Sequence, residues 1–146
     1  MTQGERDLAR SIFGDALDCG TVQIKRQRWF PLQPRNVVMA PTGHVHIHPY
    51  GDLWSDDYSC DTIAMQGLFL HEMTHIWQTQ TRGRLYLPLM RHPFCRYRYT
   101  LRPGWKFEDY GLEQQAEIVR HVFLRRNDLA PPGTPPLAAL EAVLPF

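Results

Sequence analysis

No run of apolar residues in this chain approaches the ~20 needed to span a bilayer, so membrane insertion is not expected. Cysteine is scarce as well. Cys19, Cys60 and Cys95 are odd in number, far apart and without a CxxC pair, which argues against a disulfide framework and for a reducing compartment. Charge of one sign is also missing: 16 Lys and Arg stand against 15 Asp and Glu, a net +1, and the arginines are spread along the chain. That balance leaves no electrostatic footprint for nucleic acid. The opening residues, Met1-Thr2-Gln3-Gly4-Glu5-Arg6-Asp7, lack the apolar segment of a signal peptide. A cytoplasmic location is expected, unless a signal-independent machine exports the chain. What is present is a hydrophobic content of 43% with 12% aromatics over 146 residues, enough for a real core and too little for two ordinary domains.

Residues His71-Glu72-Met73-Thr74-His75 form the HExxH signature of zinc-dependent hydrolases, inside a stretch patterned as a helix. Positions four apart lie on one helical face, so both imidazoles can reach one metal ion. Glu72, turned partly aside, can touch a metal-activated water without ligating the metal. The preceding Ile63-Ala64-Met65-Gln66-Gly67-Leu68-Phe69-Leu70 is mostly apolar, with Ala64 and Gly67 expected to leave room beside the metal. Two histidines and a glutamate in such surroundings are costly without a ligand, which weighs against solvated side chains at chance spacing.

The periodicity predicts a first amphipathic helix over residues 5–17, ended by Cys19-Gly20, and a short strand over 21–25. Residues 36–40 and 44–48 are expected to pair as a hairpin around Pro41-Thr42-Gly43. The motif helix spans about 62–80, with Ser59 or Asp61 as N-cap. Residues 85–106 are irregular and rich in Arg, Tyr and Pro, the mark of a functional segment or lid. A last helix covers 108–126. The division expected is a domain over 1–130, then a Pro-rich spacer and short apolar tail over 131–146 that docks on the domain or on a partner.

His44, His46 and His48 share one strand face and invite a second metal site. With no carboxylate or cysteine nearby in sequence, the better expectation is that Val45 and Ile47 enter the core while the histidines line the outer face. An intermediate option sets this strand beside the cleft, where a peptide can add a strand.

A catalytic zinc needs a third protein ligand and one open position. The HExxHxxGxxH pattern is absent, since Gln78 and Thr81 stand at its glycine and third histidine. Glu113 and Glu117 instead lie four apart on the downstream helix. One can bind the metal while the other accepts the spare ring N–H of a histidine. The plainer alternative for either is a surface pair with Arg120 or Arg125.

HExxH followed by a glutamate pair on a later helix resembles the gluzincin pattern, as in the prenyl-protease family of zinc endopeptidases. The resemblance implies Glu113 as the zinc ligand and Glu117, Glu here where that family has Asp, as the orienting acid. Residues 33–40, 91–97 and 110–117 also look like bacterial Vgr-related proteins, and most of the chain, from the first helix, short strand and hairpin to residues 71–78 and 113–117, looks like a metallopeptidase domain associated with contractile injection systems. That likeness implies a link to type VI secretion spikes.

The expected fold is α+β and zincin-like: a small antiparallel sheet or hairpin packed on the HExxH helix, with the glutamate helix downstream. The expected function is zinc-dependent peptide hydrolysis, with Zn2+ on His71, His75 and Glu113, Glu72 as general base and Glu117 orienting a ligand. Partners are a peptide or protein substrate and a secretion-apparatus protein. Tyr97, Tyr99, Tyr110, His92 and His121 are all candidates to stabilise the oxyanion. The alternative function is a non-catalytic zinc-containing adaptor or effector module docked on such an apparatus.

Overall fold

The computed structural model describes residues 1–91 and 94–146. Its architecture is α+β and helix-rich, with a two-stranded sheet. Helix α1 (Gln3–Phe13) starts at a capping box: the Thr2 side chain accepts from the Glu5 N–H, and the Glu5 carboxylate accepts from the Thr2 N–H. It stops four residues before the predicted end, because Gly14 takes a φ of 53°.

Strands β1 (Ile24–Lys25) and β2 (Val45–His46) pair in parallel, where the small sheet was expected to be antiparallel. The hairpin survives as one antiparallel bridge, Met39 to His46, closed by Gly43 at φ 92°. Pro34 and Pro41 bracket the first arm and leave few residues able to pair. Val38, Ala40, Val45 and Ile47 still enter the core, as alternation requires.

Helix α2 (Ile63–Arg82) is the centre of the molecule. Thr62, rather than Ser59 or Asp61, is its N-cap, accepting from the Met65 N–H. Every residue from 69 to 79 is buried, so this helix is enclosed on all sides. Full burial of Leu70, Met73 and Ile76 contributes about 1.5–3 kcal/mol each, which anchors the motif that alternates with them.

Helix α4 (Leu112–Arg126) packs antiparallel to α2. Gln78 meets Leu112, His71 meets Glu117, and Gly67 meets Leu124. Gly67 therefore does not make room for a metal. A Cβ there would lie 3.2 Å from Leu124 Cδ2 and 3.4 Å from Arg120 Cγ, so its hydrogen lets α4 approach.

Between the two helices, the described residues of 85–106 include one helical turn, α3 (Tyr86–Met90), pinned by buried Leu87. The tail carries α5 (Leu137–Glu141) and folds back. Leu140 is fully buried, and Phe146 meets the rings of Phe13, Trp77 and Phe107. No helix among the described residues is long and apolar enough to cross a membrane.

Candidate metal centre

The α2–α4 pairing sets two side chains of one helix against two of the other. On α2, the His71 and His75 rings are edge-to-face with centroids 5.0 Å apart. From α4, Glu113 places Oε2 3.3 Å from His71 Nε2 and 3.2 Å from His75 Nε2. The three donor atoms lie within 4.8 Å of one another, and all three residues are buried. Glu117, one turn on, stands with Oε1 2.9 Å from His71 Nδ1. The four residues singled out in sequence are thus together, with Glu113 facing both Nε2 atoms and Glu117 behind one ring.

Electrostatics tie the cluster together. Burial would raise the Glu113 carboxyl, yet hydrogen bonds from His71 and His75 and the charge of Arg91 hold it well below the usual carboxylate range. The same opposition, with His71 as the main partner, depresses Glu117. Burial would lower the His71 imidazole, but Glu113, Glu117 and Glu72 raise it to about 9. The folded protein therefore keeps a proton among these groups, in the place a metal cation could take.

Behind His75 lies a buried amide network that sequence reasoning missed. His75 Nδ1 is 2.9 Å from Gln78 Oε1, and the Gln78 amide donates to the Leu112 carbonyl and to Gln115 Oε1. Gln115 in turn donates to the Tyr110 carbonyl. Gln78 is fully buried, so this network fixes the His75 ring and locks α2 to the start of α4. A glutamine three residues after the second histidine was the available signal.

The oxyanion candidates separate. The Tyr99 hydroxyl is 2.7 Å from His121 Nδ1, and Tyr110 accepts from the Arg102 N–H, so both are engaged away from the cluster. His121 Nε2 faces Glu117 at 3.6 Å. The half-exposed Tyr97 ring lies nearly parallel to His71, 14° apart with centroids at 6.2 Å, and hydrogen-bonds Arg91. His92 lies outside the described residues.

His46 and His48 are buried, against the outward orientation expected of them. Trp29 covers His46 edge-on and Tyr50 lies beside His48. Among the described residues they join no metal-holding group. Their strand does reach the cluster from one side: Val38 and Val45 line a small cavity with Tyr58, Leu68, Phe69 and Glu72. On another side, a cavity of about 600 Å³ is walled by Tyr86, Met90, Arg102, Trp105, Tyr110 and Glu113.

The residues fit a metal ion. Two imidazoles and one carboxylate suit zinc and other first-row divalent metals. Glu72 is buried, with Oε2 lacking a hydrogen-bond partner among the described residues, and its charge acts on His71, Arg91 and Tyr97. An orphaned buried carboxylate oxygen is costly, and a metal-bound ligand beside it would relieve the cost.

No protein-family model matches the chain. It is 38% identical over 137 residues to the type VI secretion system spike protein VgrG2b of Pseudomonas aeruginosa, an alignment covering 88% of this chain. The chain spans about 13% of that spike protein's length. Its fold matches the solved effector domain of Pseudomonas aeruginosa VgrG2b with a TM-score of 0.77 at 34% identity, covering 97% of this chain and 79% of that one.

Proposed function

Because the chain belongs to the family of the VgrG2b effector domain, we propose that it is an effector module of a type VI secretion spike, acting as a zinc-dependent metallopeptidase. His71, His75 and Glu113 hold the zinc, and Glu117 and Gln78 orient the two histidines. Bound there, zinc supplies a Lewis acid for the scissile carbonyl and lowers the pKa of water. Glu72 takes the proton of the attacking water and passes it to the leaving amine. Tyr97, over His71 and open to solvent, donates to the oxyanion. As part of a spike, the chain is carried out of the cytoplasm by the secretion apparatus.

The observation that carries this reading is Glu72. A metal that only braced the fold would need the ligands, but would have no use for a buried carboxylate with a free oxygen beside them. The competing reading, a zinc-containing adaptor, draws on the exposed Leu85, Leu89, Met90 and Phe94, apolar side chains suited to docking. Broad peptide libraries, digested by wild type, a chelated control and Glu72→Gln, separate the two. Hydrolysis by wild type should be lost on chelation, and should fall by ~10²–10⁴ in Glu72→Gln with zinc retained. Hydrolysis untouched by Glu72→Gln would put the adaptor in its place.

A further inference from the structure

Arg91 follows the α3 turn, held by a 2.8 Å bond from its own N–H to the Leu87 carbonyl, and Leu87 is buried. From there its Nε lies 2.8 Å from Glu113 Oε1, against a Glu113 side chain that is completely enclosed. The other oxygen, Oε2, is the one facing both histidines. The Arg91 contact is an ion pair rather than an aligned hydrogen bond, and it sets a positive charge on Oε1 while both imidazoles face Oε2. The Arg91 guanidinium also hydrogen-bonds Tyr97, whose ring lies over His71.

A guanidinium next to a cation site repels the cation, so tighter metal binding does not explain it. What it supplies is geometry. A carboxylate with both oxygens free can clasp a metal through both, whereas one with Oε1 engaged offers a single atom. We infer that Arg91 is a positioning residue: it occupies Glu113 Oε1 so that Oε2 alone is offered to the metal, keeping one coordination position open for water. This inference rests on the metal-site reading above. It adds that Arg91, just beyond the α3 turn, sets the coordination number of the site.

The test is the visible spectrum of cobalt-loaded protein, a signature of coordination number that needs no substrate. Wild type, Arg91→Lys and Arg91→Met are loaded with Co2+, with circular dichroism checking the fold and Arg91→Gln replacing Arg91→Met should the latter not fold. Wild type should give the intense band of a four-coordinate ion. Arg91→Met should shift it to the band of intermediate intensity of a five-coordinate one, as Oε1 turns inward. Arg91→Lys keeps a cation on Oε1 and should retain the intense band. Identical spectra in all three would overturn the role of Arg91 while leaving the metal site standing. Wild type that takes up no cobalt would instead overturn the metal site itself, and this inference with it.

Discussion

Glu117 Oε1 stands 2.9 Å from His71 Nδ1, on the side of the ring away from the nitrogen that faces Glu113. A histidine paired this way presents one nitrogen to a metal and sets the other against a carboxylate, which favours one tautomer and ring angle. Glu117→Gln keeps the shape but drops the charge, and should weaken zinc binding by roughly 10–100-fold. Glu113→Gln should weaken it further. Competition with a chromophoric chelator measures both, and stronger loss from Glu117→Gln would exchange the two roles.

Zinc uptake should release a proton. In the metal-free fold His71 titrates near 9, above its ordinary 6.5, so at pH 7 it carries a proton that a ligand must lose. The sign follows: affinity for zinc rises with pH, by about tenfold per unit for one proton displaced, and flattens as pH passes about 9. Calorimetry at pH 7 in buffers of different ionisation enthalpy counts that proton. No release from His71 would mean that zinc does not bind there.

The Gln78 network should matter to both fold and metal. Gln78→Leu keeps the volume but leaves the Leu112 carbonyl and Gln115 Oε1 without their donor. Each unsatisfied buried group costs about 1–3 kcal/mol, visible in urea melts. Zinc affinity should fall along with stability, since His75 Nδ1 also loses its partner. A melt unchanged from wild type would show that the network is dispensable.

Gly67 marks where α2 and α4 come closest. Gly67→Leu forces a branched chain against Leu124 and Arg120 and should cost about 1–3 kcal/mol or more. Gly67→Ala sets one methyl against the movable end of Leu124, offset by the ~1 kcal/mol alanine gains in a helix. The leucine variant should therefore melt well below the alanine one, and equal melts would contradict the close packing.

Much of the site was legible in sequence because its signals are local. The i, i+4 spacing of His71 and His75, and of Glu113 and Glu117, survives any packing that keeps the helices. That they face one another depends on the α2–α4 pairing, which the gluzincin resemblance implied but spacing did not. Gln78 was passed over because its partners, Leu112 and Gln115, are 34 and 37 residues away. The fate of the strands was equally non-local: alternation placed Val45 and Ile47 in the core, but nothing in 44–48 shows that β1 pairs in parallel or that Trp29 covers His46. Arg91 stood in a stretch whose composition announced irregularity and nothing about its ion pair with Glu113.

The most direct measurement is an anomalous difference map at the zinc edge from crystals of protein purified without added chelator. One peak per chain should lie between His71 Nε2, His75 Nε2 and Glu113 Oε2, with Glu72 near it but not bound to it. A zinc peak elsewhere, or zinc-replete crystals with no density among these three atoms, would contradict the account.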